Sequence, residues 1–373
     1  MARSGTSTVG VEEEYLVVDS RSRKLRPAAA AVIDGATGVL GGRVGAELTR
    51  FQLEARTEPH TGLGDLGEQI RDMRAVIAGA AADHGLSVVS SGSPVLGDPI
   101  PPPITDGPRY AASVTHFRAL DDEQVVCACH VHVGLADRAL ALRVSNHLRP
   151  WLPTLVALSA NSPYWAGRDT GYASWRTMAW ARWPAAGPPP YFCSPGHFDE
   201  LVGRLLEAGV IMDRAGVYWD VRPSSHLPTV EVRVTDAATT VAETQLFTAL
   251  IRALADTALA DIAAGAPDPD PDPHTLRAAH WRAARDGLGG HAVHPHTGHL
   301  LPATTLTAEL RAHVMTAVHR NGDHQLVETE WRRLHDSGTG ADRQRAAYRG
   351  RLSDVVDHLT HAYLGKWDRG ATV

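Results

Sequence analysis

Cysteine is scarce in this chain: Cys127, Cys129 and Cys193 are the only three in 373 residues. So few thiols, irregularly spaced, exclude a disulfide framework and fit a reducing compartment. Long apolar runs are missing as well, since no stretch approaches the roughly 20 residues a bilayer-spanning helix needs. The opening Met-Ala-Arg-Ser-Gly-Thr-Ser-Thr lacks the apolar core of a secretion signal. The expectation is a cytoplasmic protein with no membrane partner. An excess of positive charge is also absent. Lys and Arg number 36 against 42 Asp and Glu, a formal charge of -6, which offers no general attraction to nucleic acid. No internal repeat recurs at a fixed period, which argues against a solenoid. What remains is a chain 43% hydrophobic and long enough to bury a large core. We expect residues 1–373 to form one domain. Ala266-Pro-Asp-Pro-Asp-Pro-Asp-Pro273 should interrupt it as an extended, solvated surface linker.

Val9-Gly-Val-Glu-Glu-Glu-Tyr-Leu-Val-Val18 has the composition of a strand, yet it carries three successive carboxylates. Strand side chains alternate, so Glu12 and Glu14 share one face roughly 6 to 7 Å apart, while Glu13 points away with Val11 and Tyr15. Like charges this close need a cation or raised pKa values to coexist. Three further segments show the same split. In Phe51-Gln-Leu-Glu-Ala-Arg56, Glu54 and Arg56 share the polar side; in Val125-Val-Cys-Ala-Cys-His-Val-His-Val133, His130 and His132 do; in Thr229-Val-Glu-Val-Arg-Val234, Glu231 and Arg233 do. Four such strands predict a sheet whose polar side lines a chamber. Between them, helical spacing is evident over 63–84, over 137–160 with a break at Pro150 and Pro153, over 196–209, and from a Thr240-Val-Ala-Glu243 capping box to about residue 265.

A carboxylate-dominated face favours a hard cation such as Mg²⁺, with Mn²⁺ as an alternative, and such ions bridge nucleotide phosphates in phosphoryl transfer. His130 and His132 admit two other readings: a hydrogen-bonded pair within the sheet, or the ligand pair of a zinc hydrolase. Cys127 and Cys129 fall on the opposite face of that strand and read as core thiols. Arg168, Arg176 and Arg182 lie among tryptophans in the stretch from Asn161 to Pro184, a texture suited to gripping a carboxylate or phosphate. His291, His294, His296 and His299 occupy a Gly- and Pro-rich segment and read as a surface loop.

Several longer motifs carry a resemblance: Val9-Gly-Val-Glu-Glu-Glu-Tyr15, Cys127-Ala-Cys-His-Val-His-Val-Gly134, Gly167-Arg-Asp-Thr-Gly-Tyr-Ala-Ser174, Trp219-Asp-Val-Arg-Pro223, Leu227-Pro-Thr-Val-Glu-Val-Arg-Val234 and Gly338-Thr-Gly-Ala-Asp-Arg-Gln-Arg345. In this order and length they resemble the type 2 glutamate–cysteine ligases, the bacterial YbdK-like carboxylate–amine ligases related in fold to glutamine synthetase. The resemblance implies an α+β fold: a curved, mainly antiparallel sheet forming a funnel-shaped chamber, helices outside, ATP and two or three Mg²⁺ ions inside. It implies metal ligation by Glu12, Glu14, Glu54, His130 and Glu231, with Arg233 on the transferring phosphate and Arg168 and Arg176 on a carboxylate or phosphate. The implied reaction is ATP-dependent activation of a carboxylate to an acyl phosphate, followed by amine attack, with Glu54 a candidate base. Small-molecule carboxylate and amine partners and a homodimer are expected. Glutamate and cysteine are the family's default pair, and another amino-acid or natural-product amide is the alternative.

Overall fold

The computed structural model describes residues 6–365. Its centre is strand β1 (Val9–Asp19), flanked on one side by β3 (Gln52–Arg56) and on the other by β5 (Ala128–Gly134). Beyond β3 lies β2 (Val44–Ala46); beyond β5 lie β9 (Thr229–Asp236) and then β8 (Val221–Pro223). The far end of β1 also pairs with β4 (Leu86–Val89). All of these pairings are antiparallel. The sheet is open, with β2 and β8 as its ends, so the expected α+β class holds and the chamber is completed by loops and short helices. Two small hairpins stand apart: β6 (Tyr164–Trp165) with β7 (Arg168–Asp169), and β10 (His291–Val293) with β11 (Leu300–Pro302).

The alternation expected of each strand sorts its two faces. Val9, Val11, Val131, Val133, Val230 and Val232 join one core with Leu66, Ile70, Leu246 and Leu250, which belong to the helices Leu63–Ala82 and Val241–Ala263. That face is dry, and the opposite face keeps the polar residues. Glu13 lies on the dry side because it has a partner there. Arg74 of the 63–82 helix is bonded to both of its carboxylate oxygens, at 3.0 and 2.6 Å. The hydroxyls of Tyr15 and Thr244 donate to it as well.

Other expectations hold with local amendments. The 137–160 segment divides into helices Arg138–Leu148 and Leu152–Ser159 around a 3₁₀ turn containing Pro150. Thr240 and Glu243 form the capping box that opens the 241–263 helix. The Gly338–Arg345 motif precedes a final helix, Leu352–Tyr363, and is itself helical from Gly340 to Ala347, because Thr339 and Asp342 make a second capping box. The Pro/Asp stretch is tied down through its acids. Asp268 accepts from Arg143 and Asn146, Asp270 from Arg149, and Asp272 caps the helix Pro273–Asp286. Among the described residues no helix is long and apolar enough to cross a membrane.

Candidate active site

Strand register gathers the polar faces into one cavity of about 350 Å³. Glu14 stands opposite Glu54, Glu12 lies between Arg56 and His130, and His132 faces Glu231, which in turn faces Arg222 of β8. His130 and His132, two residues apart on β5, both face the cavity, and the register shift between β5 and β9 after Cys129 is taken up by an extra residue on β9. The roof comes from the helices Pro108–Phe117 and Ala119–Asp122 with Tyr110 and Asp121, and the far wall from Trp180, Trp183 and Tyr218. Arg109 of the roof is ion-paired with Asp213 across the mouth.

The contacts define two electrostatic halves. At the β5–β9 side, Arg222 donates to Glu231 from Nε at 2.9 Å and Nη2 at 3.3 Å, and Arg233 closes on the same carboxylate. Burial would raise the Glu231 carboxyl, but these two guanidinium groups hold it well below the usual range. His130 Nδ1 sits 3.2 Å from Glu12 Oε2 and its Nε2 3.7 Å from Glu14 Oε1; His132 Nε2 is 3.5 Å from Glu12 Oε1. Burial, with Arg233 nearby, lowers the His130 pKa and keeps the ring neutral. Burial also works against the Glu12 carboxylate, yet the hydrogen bond it accepts from His130 and the His132 imidazole beside it keep it ionised. At the β1–β3 side the acids outnumber the cations. Burial and the neighbouring Glu14 push Glu47 up to about 8, and burial with Glu47 and Glu12 raises Glu54 well above the ordinary carboxylate.

These residues suit divalent cations. Three donor sets each place one atom per residue within 4.8 Å of one another: Glu12, His132 and Glu231; Glu12, Glu54 and His130; Glu14, Glu47 and Glu54. Glu12 and Glu54 are shared, so the sets form a continuous row of mostly oxygen donors, the chemistry of Mg²⁺ or Mn²⁺. His132 Nε2 is buried without a hydrogen-bond partner, and the raised Glu47 and Glu54 pKa values mark a place short of positive charge. The two imidazoles fall into different sets, which is not the paired arrangement a zinc hydrolase on His130 and His132 needs.

Glu12, Glu14, Glu54, His130, His132, Glu231, Arg176 and Arg233 thus meet in the cavity. Arg168 does not. It is exposed on the β6–β7 hairpin outside the lining, because a tight turn with positive φ at Ala166 and Gly167 carries it to the surface. Its neighbour Asp169 is the residue that bonds, to Arg345 at 2.8 and 2.9 Å. Arg176 reaches the lining, but its guanidinium donates to the carbonyls of Arg233 and Val234 at 2.8 and 3.2 Å and so fixes β9. Cys129 is in the core, and Cys127 lies beneath Gln52, whose amide donates to its sulfur at 3.4 Å; burial raises both thiols. The His291–His299 loop is a mostly exposed hairpin. Two site residues escaped the sequence reading. Arg222 was legible, standing one short loop before the alternating Glu231 strand; Glu47 had no signal, lying between strands in a segment without period.

Comparison with known proteins places this arrangement. The model of glutamate-cysteine ligase family 2 matches residues 8–358. "Putative glutamate–cysteine ligase 2-2" of Mycobacterium sp. (strain KMS) is 45% identical over 371 residues, covering 96% of this chain and 98% of that one. Among solved structures, the glutamate–cysteine ligase of Francisella tularensis in complex with AMP superposes with a TM-score of 0.72 at 12% identity, over 97% of this chain and 89% of that one. A bifunctional glutathione synthetase from Pasteurella multocida gives 0.72 at 14% identity, over 98% and 53%. The last two share the fold; the family match and the 45% identical relative show that the chain belongs to glutamate–cysteine ligase family 2.

Proposed function

We propose that this protein is an ATP-dependent carboxylate–amine ligase that forms an amide through an acyl phosphate. Glutamate and cysteine are its default substrates, and another amino-acid or natural-product pair the alternative. The observation that carries the reading is the row of three donor sets ending at Arg233. Mg²⁺, when bound by Glu12, Glu14, Glu47, Glu54, Glu231 and the two imidazoles, offsets charge on nucleotide phosphates. Arg233 is half-buried and its Nε has no partner, so it can donate to the transferring phosphoryl group while Glu231 holds it in place. In the first step a carboxylate oxygen of the acid bonds to the γ-phosphorus and the bond to ADP breaks. In the second, the amine nitrogen bonds to the carbonyl carbon, phosphate leaves with the C–O electrons, and the nitrogen gives up a proton. Glu54, which lines the row beside the donor sets, is the candidate acceptor. The roof over residues 108–122 shields the acyl phosphate from water.

The test is ADP release with ATP and Mg²⁺ across pairs of amino acids, with mass spectrometry of any new amide. Glu231→Gln frees Arg222 and Arg233 from their shared partner and removes a ligand, and turnover is expected to fall by about 10²-fold or more. Undiminished turnover in that variant, or no ADP with any pair, sinks the reading.

A further inference from the structure

Five arginines line the chamber, and four of them are committed. Arg222 and Arg233 close on Glu231, Arg176 on carbonyls of β9, and Arg109 on Asp213. Arg56 differs. Among the described residues its guanidinium has a single ion-pair contact, Nε to Glu54 Oε2 at 3.4 Å, and its side chain keeps 46% of its exposure. Its Nη2 passes 3.1 Å from where a Cβ on Gly45 would stand. The glycine on the neighbouring strand therefore leaves this guanidinium its place at the rim.

Register gives Arg56 a direction. It faces Glu12 across β1–β3, Glu12 faces His130 across β1–β5, and Arg233 lies beyond His130 on β9. Arg56 and Arg233 therefore stand at opposite ends of one row, three strand spacings or about 14 Å apart at the backbone. Both side chains are long, and between them there is room for a small dicarboxylic acid. Its reacting carboxylate belongs at the Arg233 end, so the rest of the molecule points along the row toward Arg56. A carboxylate arriving there meets Glu47 and Glu54, and a guanidinium fork is what offsets that repulsion.

We propose that Arg56 is a specificity-determining residue that takes the second, unreacting carboxylate of a dicarboxylic amino acid. The inference rests on the ligase reading above for which end of the row reacts. The experiment measures binding by calorimetry in the presence of Mg²⁺ and a non-hydrolysable ATP analogue, comparing glutamate with γ-aminobutyrate, which keeps the reacting carboxylate and lacks the other. The intact protein is expected to prefer glutamate by at least about ten-fold, a preference that Arg56→Gln abolishes and Arg56→Lys retains in part. Unchanged affinity for the ATP analogue shows that the variants are folded, and Arg56→Lys serves alone if the glutamine variant fails that check. Absence of a preference in the intact protein, or its persistence in the variants, overturns the proposal. So does a loss confined to the preference for cysteine over cysteamine, which would move Arg56 to the amine substrate. Selective glutamate binding without any ADP release would defeat the ligase reading and leave the role of Arg56 standing.

Discussion

Replacing Arg74 by methionine isolates the interaction that seats the central strand. The side chains of Arg74 and Glu13 are 1% and 3% exposed. The arginine donates twice to Glu13 and once each to the carbonyls of Ala238 and Thr239, at 3.0 Å. Its guanidinium also lies 5.6 Å from the Tyr15 ring and 5.0 Å from that of Tyr363. Methionine refills the stem of the side chain, so the loss is electrostatic. It strands Glu13 as a buried charge and leaves two carbonyls unpaired, and removing one partner of a buried pair costs about 3–5 kcal/mol. Neutralising the carboxylate as well should return most of this. In Glu13→Gln/Arg74→Met, the hydroxyls of Tyr15 and Thr244 still contact the amide, so the double variant should be about 2 kcal/mol or more stabler than the sum of the singles. The assay is urea unfolding followed by tryptophan fluorescence, with each variant's midpoint and slope. A single variant within 1 kcal/mol of the parent, or additive singles, would refute the reasoning.

Glu243 gives a pH window. Burial opposes its charge, but Arg343 and Arg333 bring its pKa down from 4.5 to about 2. A depressed carboxylate stabilises the fold above the unfolded value. Some ~3 kcal/mol should therefore be lost as pH falls from about 4.5 to 2. Glu243→Gln should flatten that part of the stability profile, and an unchanged acid limb would count against the assignment. Glu47→Gln removes one donor from the Glu14–Glu47–Glu54 set. The Mg²⁺ concentration for half-maximal ADP release is expected to rise about ten-fold or more, as even supporting partners of metal ligands are worth that much. An unaltered Mg²⁺ dependence would remove Glu47 from the site.

The floor of the chamber was legible because a strand's period is two: once four segments were seen to alternate, Glu12, Glu14, Glu54, His130, His132, Glu231 and Arg233 had to share a side wherever those segments paired. Pairing itself came from the fold, and with it the opposition of Glu14 to Glu54 and of His132 to Glu231. Loops carry no such period. Glu47 enters the cavity from a connection, and Arg168 leaves it through a turn whose positive φ values no hydrophobic pattern announces. Arg176 shows a third limit. Its place among tryptophans suggested ligand contact, whereas the buried carbonyls of β9 claim its donors.

The layout of the sheet has a consequence for the order in which the molecule comes into being. β1 is made first, but it pairs with β5, which begins at residue 128 and pairs in turn with β9, which begins at residue 229. During synthesis the acids at 12, 14, 47 and 54 exist long before Glu231 and Arg233, the groups that complete the last donor set and balance its charge. Pairings this distant in sequence form slowly. Until β9 arrives β5 is an unpaired edge, open to mispairing with other chains. A nascent or truncated chain ending before residue 229 therefore carries most of the acids without Glu231 and Arg233, and the donor row is complete only when the fold is nearly finished.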